Sequence, residues 1–132
     1  MDVDDTRDWL EEYVRVFEAC GRGDSDDISR LMDYYGVPLL FTTEVSAVAL
    51  MTEREVLDAV RDQISDMRAA GYDRSETLDS ETTSINATTA IHTGEFSRRR
   101  ADGSEIGRIR ATYLIIDSGR GRRISALAVH TA

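Results

Sequence analysis

Two histidines, a tyrosine near the start of the chain and a lone cysteine are the side chains best suited to proton transfer or nucleophilic attack in this 132-residue sequence. His92 lies in a segment that alternates at period two, sharing a face with Thr88, Ala90 and Phe96, while Ile85, Ala87, Thr89 and Ile91 take the other. His130 ends the last such segment in phase with Ile124, Ala126 and Ala128. If that phase faces the interior, His130 lines a pocket; the opposite phase, Ser125, Leu127 and Val129, is nearly as apolar, and a slip of one residue turns His130 outward. Each histidine therefore reads either as a general base or as a satisfied structural or surface residue. No third ligand stands at a sensible spacing, so no metal centre is expected. Cys20 has no histidine beside it to activate the thiol and reads as a small buried hydrophobe. Every one of the 16 cations is arginine, which excludes Schiff-base chemistry, a lysine nucleophile and a phosphate-loop lysine.

Several short motifs carry a bland reading. Arg22-Gly23-Asp24-Ser25 matches an integrin-recognition string but reads as a helix stop followed by a cap. Asn86-Ala87-Thr88 is a glycosylation sequon placed inside a strand. Arg98-Arg99-Arg100 flanks a turn as a solvated charge run, and only Phe96 stands near enough to stack on a base. Tyr34 and Tyr35 either close a pocket floor or pack against a second helix.

Composition bounds the class. With 41% hydrophobic and 31% charged residues the chain is globular, and its length fits one domain, 1–132, that buries about two-thirds of its unfolded surface. A net charge of −9 opposes general affinity for nucleic acid. The acids concentrate in residues 1–66 (17 acids, 6 arginines), whereas residues 67–132 hold 8 acids and 10 arginines. An acidic, lysine-free surface suits either a salt-adapted organism or a GC-rich genome. There is no apolar run of spanning length and no leader pattern, and a single cysteine cannot form an internal disulfide, so a cytoplasmic protein without membrane attachment is expected.

The front half reads as helices. Trp9, Leu10, Tyr13, Val14, Val16, Phe17 and Cys20 give residues 6–20 a broad apolar face, with the first five residues frayed. A short second helix over about 26–34 follows, then an edge strand at Val37-Pro38-Leu39-Leu40-Phe41. Thr52-Glu53-Arg54-Glu55 is a capping box opening a third helix that ends before Gly71. A strand over about 73–82 leads into three antiparallel segments, Ser84–Arg100, Glu105–Asp117 and Arg122–His130, joined by Ala101-Asp102-Gly103 and Asp117-Ser118-Gly119-Arg120-Gly121.

With Glu12-Tyr13-Val14 in the first helix, the Gly23-Asp24 break, Tyr35-Gly36-Val37-Pro38 leading to the first strand and the closing Gly121-Arg122-Arg123-Ile124, the chain resembles the nuclear transport factor 2-like superfamily over nearly its whole length. That superfamily includes steroid delta-isomerases and polyketide cyclases. The resemblance implies an α+β fold in which a cone-shaped curved antiparallel sheet wraps around N-terminal helices and a pocket opens between them. It also implies dimerisation through the convex face. Tyr13 takes the place of the isomerases' oxyanion donor, but Leu39-Leu40-Phe41-Thr42 offers no general-base acid, and the second donor position falls near Thr112. Glu44 is the nearest acid, two or three residues on. The isomerase reaction is therefore not implied.

The expectations are these. Trp9, Tyr13, Phe17, Tyr34, Tyr35, His92, Thr112, Leu114, Ala128 and His130 line a pocket for a small apolar molecule, without organic cofactor or metal. A cofactor-independent isomerase, cyclase or lyase with His130 or His92 as base and Tyr13 as donor is the alternative. A homodimer buries the convex row Ile109, Tyr113 and Ile115.

Overall fold

A computed structural model describes residues 1–131. Helix α1, Val3–Gly21, starts earlier than its apolar stripe because Asp2 caps it, its carboxylate accepting from the Asp5 amide at 2.8 Å. It buries Leu10, Tyr13, Val16, Phe17 and Cys20. The predicted second helix is a single 3-10 segment, Ile28–Asp33, carrying Leu31 into the core. Helix α2, Glu53–Ala69, opens on the predicted capping box: the Glu55 amide donates to Thr52 Oγ1 at 3.1 Å and the Thr52 amide to Glu55 Oε2 at 3.3 Å. Its buried stripe is Val56, Val60, Ile64 and Met67.

Six strands follow and interleave: β1 Tyr35–Thr42, β2 Ala47–Leu50, β3 Tyr72–Asn86, β4 Thr89–Arg100, β5 Glu105–Asp117 and β6 Arg122–Thr131. They form one curved sheet in the order β2-β1-β6-β5-β4-β3, packed on its concave side against the helices. The sheet is mixed, since β1 runs parallel to β6 while every other pair is antiparallel. Strand β2 lies at the edge, so β1 is internal. Pro38 is tolerated there because the β1–β6 ladder is interrupted between Tyr35 and Leu40, and pairing to β2 begins at Leu39.

Two departures from the predicted strands have local causes. The segment Ser84–Arg100 is broken by a two-residue turn, Ala87-Thr88, in which Asn86 Oδ1 accepts from the Thr88 amide at 2.9 Å; the sequon thus lies in a hairpin tip, not inside a strand. In β6, Ile115 pairs with Ile124 but Leu114 pairs with Ala126, which leaves Ser125 as an extra residue. That bulge reverses the phase of everything beyond it, so Leu127 and Val129 join Ile124 on the concave face while Ala128 and His130 turn outward.

Arginine side chains tie the layers together. Arg68 of α2 donates to the Cys20 carbonyl through Nε (3.1 Å) and Nη2 (2.8 Å), satisfying the end of α1. Arg100 Nε does the same for Ala70 at 3.0 Å, past the end of α2. On the opposite side, Arg122 Nε donates to Thr6 Oγ1 at 3.1 Å, fastening α1 to β6.

Candidate functional site

The interior between α1 and the sheet is aromatic. Tyr13 projects from the middle of α1 onto the sheet, its ring edge-on to Tyr35 (centroids 5.6 Å) and to Tyr113 (6.1 Å) and tilted against Phe17 and Tyr34. Its hydroxyl shares a 2.5 Å hydrogen bond with that of Tyr35. Burial pushes both phenols up in pKa, Tyr35 to about 12 and Tyr13 well above its ordinary value, so both keep their protons, one hydroxyl donating and the other accepting. Trp9 packs against Tyr34 with centroids 5.3 Å apart. Beside Tyr13 the space is nearly filled, a cavity of about 30 Å³.

His92 is buried on the concave face of β4, as its phase with Ala90 and Phe96 predicts. It lines a separate cleft of about 250 Å³ with Glu11, Arg15 and Glu18 of α1 and Thr77 and Ser80 of β3. Its Nδ1 lies 2.7 Å from Thr82 Oγ1, which fixes the ring. Burial lowers the imidazole pKa and outweighs the opposing pull of Glu11. Burial likewise raises the Glu18 carboxyl. The Tyr113 ring stands between the two candidate groups, 6.0 Å from the His92 ring and 6.1 Å from that of Tyr13.

The remaining sequence-derived residues lie elsewhere. His130 is exposed on the convex face, paired with Arg110; Thr112 pairs with Ala128 and Leu114 with Ala126 on that same face. Thr112, Leu114, Ala128 and His130 therefore do not line the interior: in β5 the alternation turns Ala111, Tyr113 and Ile115 inward, and in β6 the Ser125 bulge turns Ala128 and His130 outward. Correspondingly Tyr113 and Ile115, assigned to a convex interface row, are core residues at 6% and 0% exposure, and Ile109 packs against the core with them. A signal for this existed: Arg108 and Arg110 share a face with Thr112 and Leu114, and Arg110 meets Glu95 of β4 at 3.6 Å.

A third cavity, about 350 Å³, opens between α2 and strands β1, β2 and β6. Leu39, Phe41, Leu50, Val56, Val60, Leu127 and Val129 form its apolar walls, with Tyr35 at its inner end. Gln63 and Arg98 line it, and they also line the small cavity beside Tyr13 and another of about 250 Å³ next to Met67 and Tyr72. Sequence reasoning passed over Arg98 by reading Arg98-Arg99-Arg100 as one solvated run. The three go to different places: Arg98 inward, Arg99 to Glu76 at 2.9 Å, and Arg100 to the Ala70 carbonyl. The phase of His92, Gly94 and Phe96 already points Arg98 inward. Among the described residues, no group of three His, Cys, Asp or Glu side chains converges as a metal site, and no helix is long and apolar enough to cross a membrane.

Helices cupped by a curved, unclosed sheet around an aromatic interior define the class of NTF2-like proteins. The chain belongs to the family described as NTF2-like protein (DUF6841), whose sequence model matches residues 4–132. Solved structures share the fold at low identity. An NTF2-like protein of unknown function from Shewanella oneidensis superposes with a TM-score of 0.69 at 16% identity, covering 95% of this chain and 98% of that one. The beta subunit of the benzoate 1,2-dioxygenase from Burkholderia mallei gives 0.70 at 15% identity, covering 100% and 91%. A putative calcium/calmodulin dependent protein kinase II association domain from Xanthomonas campestris gives 0.70 at 7% identity, covering 100% and 89%. No curated protein matches the sequence.

Proposed function

We propose that the protein is a binding module for a small apolar molecule, seated between α2 and strands β1, β2 and β6. The observation that carries this reading is the cavity of about 350 Å³ walled by Phe41, Leu50, Val60, Leu127 and Val129, within the size range of small-molecule sites. Binding is favoured over turnover because the proton-transfer groups are dispersed. The Tyr13 hydroxyl is engaged by Tyr35, His92 faces a different cleft, and His130 lies on the far side of the sheet. The test is titration with the neutral dye N-phenyl-1-naphthylamine. Wild type should enhance its fluorescence with saturation, and Ala59→Trp, which fills the cavity from a half-buried position on α2, should abolish the enhancement. A folded wild type that gives no enhancement overturns the reading.

The catalytic alternative rests on His92 alone. Its ring is held by Thr82 and its pKa is lowered by burial, and Glu18, whose carboxyl pKa is raised by burial, lines the same cleft, so two titratable groups flank one space. In this reading His92→Gln removes turnover while dye binding persists. For assembly, we propose a homodimer through the convex face, whose apolar band runs through Ile91, Leu114, Ala126 and Leu40.

A further inference from the structure

Among the described residues, Arg98 lines three of the cavities above and leaves a buried polar atom without a partner. Its Nε is enclosed and makes no hydrogen bond. Arg99 Nε is enclosed too, but it lies 2.9 Å from Glu76 Oε2, so its charge is met. Acids on the neighbouring stretches of β3, β4 and β5 are engaged elsewhere: Glu76 and Glu105 approach Arg99 at 2.9 and 3.9 Å, and Glu95 approaches Arg110 at 3.6 Å. Asp66 stands exposed on α2 where Arg98 also lines the cavity walls, yet among the described residues it makes no ion pair with Arg98. A half-buried guanidinium beside Tyr13, Tyr113, Leu127 and Val129, whose Nε meets neither solvent nor a partner, is well placed to receive an anion.

We infer that the ligand of the α2–sheet cavity is a monocarboxylic acid with an apolar body, its carboxylate received by Arg98 and by the Gln63 amide while its body lies against Phe41, Leu50 and Val60. This rests on the binding reading above and specifies its ligand class. Gln63 and Arg98 are shared by three adjoining cavities, so the polar pair sits where those spaces meet. The planar fork of arginine matches a carboxylate with two parallel N–H donors. A phosphate dianion fits less well, because the single positive charge of Arg98 leaves one negative charge unmet, the neutral Gln63 amide adds only a hydrogen bond, and Asp66, which also lines the cavity, repels the excess.

The experiment displaces N-phenyl-1-naphthylamine from wild-type protein with octanoate and, separately, with octanamide, which has the same chain and no charge. Octanoate should compete about tenfold more strongly than octanamide. Arg98→Met, which keeps the length and apolar packing of the stem, should remove the acid's advantage, so that the ratio of octanoate to octanamide competition falls from about tenfold to about one. Arg98→Gln serves as the second variant should Arg98→Met melt early. Asp66→Asn, at an exposed position, should tighten octanoate by about twofold by removing a like charge. Equal competition by acid and amide in a wild type that binds the dye overturns the carboxylate inference and leaves the binding module intact. Failure of folded wild type to bind dye overturns both.

Discussion

The Tyr13 and Tyr35 hydroxyls meet at 2.5 Å inside a core where both residues are under 5% exposed, joining the middle of α1 to the start of β1. Removing one hydroxyl strands the other in an apolar enclosure. Tyr13→Phe and Tyr35→Phe should each cost about 1–2 kcal/mol in urea unfolding. The double variant should cost less than the sum, with a coupling of about 1 kcal/mol. Strict additivity would show that each hydroxyl is separately satisfied.

Alkali should act late and then steeply. Burial raises the phenols of Tyr35 and Tyr72 from 10.0 to about 12, and raises Tyr13 and Tyr113 as well. The folded state holds these groups neutral where the unfolded chain would ionise them. Their contribution to stability is therefore complete below pH 10 and is lost as pH rises through about 12. Tyrosinate absorbance should show little ionisation near pH 10 and then a rise coincident with unfolding. A midpoint near 10 for all five tyrosines would show an open interior.

His92 produces a slope of opposite sense. Its pKa is lowered from 6.5 chiefly by burial, so protons bind the unfolded chain first. The stability it supports is present above pH 6.5 and declines as pH falls through the lowered folded value. His92→Gln, which can still bond to Thr82, should flatten the loss seen between pH 6.5 and the onset of general carboxylate protonation. An unchanged slope would assign that loss to other groups.

Gly94 lies beneath the Phe96 ring. A Cβ added there would come within 2.6 Å of Phe96 Cζ and 2.7 Å of Cε2, so the ring must move toward the cavities it lines. Gly94→Ala should destabilise the fold by about 1–3 kcal/mol and change near-ultraviolet circular dichroism. Wild-type stability with an unaltered spectrum would mean that the ring has room to turn aside.

Legibility from sequence followed the strength of local signals. The Thr52 capping box and the apolar stripes of Tyr13 and Val60 are enforced by helical period and cap chemistry, so both long helices were visible. The phase of β5 was not, because Ile109, Tyr113 and Ile115 on one face and Leu114 and Ile116 on the other are comparably apolar. In β6 the Ser125 bulge carries no distinctive residue, and one inserted position moved His130, Ala128 and Leu127 to opposite faces. The 3-10 segment and the short β2 also lack periodicity long enough to read. The cavity between α2 and β1, β2 and β6 escaped notice because its walls, from Phe41 to Val129, come together only through the parallel β1–β6 pairing.

The same phase places the contact of the proposed homodimer on the convex face. Leu114 pairs with Ile91 and Ala126, and Ala126 pairs with Leu40, so these side chains form a row across the convex face; Leu40 is 52% exposed in the single chain. Leu114→Asp would set a charge in the interface while leaving the concave core untouched, at a cost of a few kcal/mol to association. Light scattering should then report monomers of unchanged circular dichroism. Tyr113→Asp behaves differently, because that ring is 6% exposed and packs on Tyr13 and His92; it should unfold the chain instead of dissociating it. A wild-type mass of one chain at micromolar concentration would reject the convex dimer, as would a Leu114→Asp variant that remains dimeric.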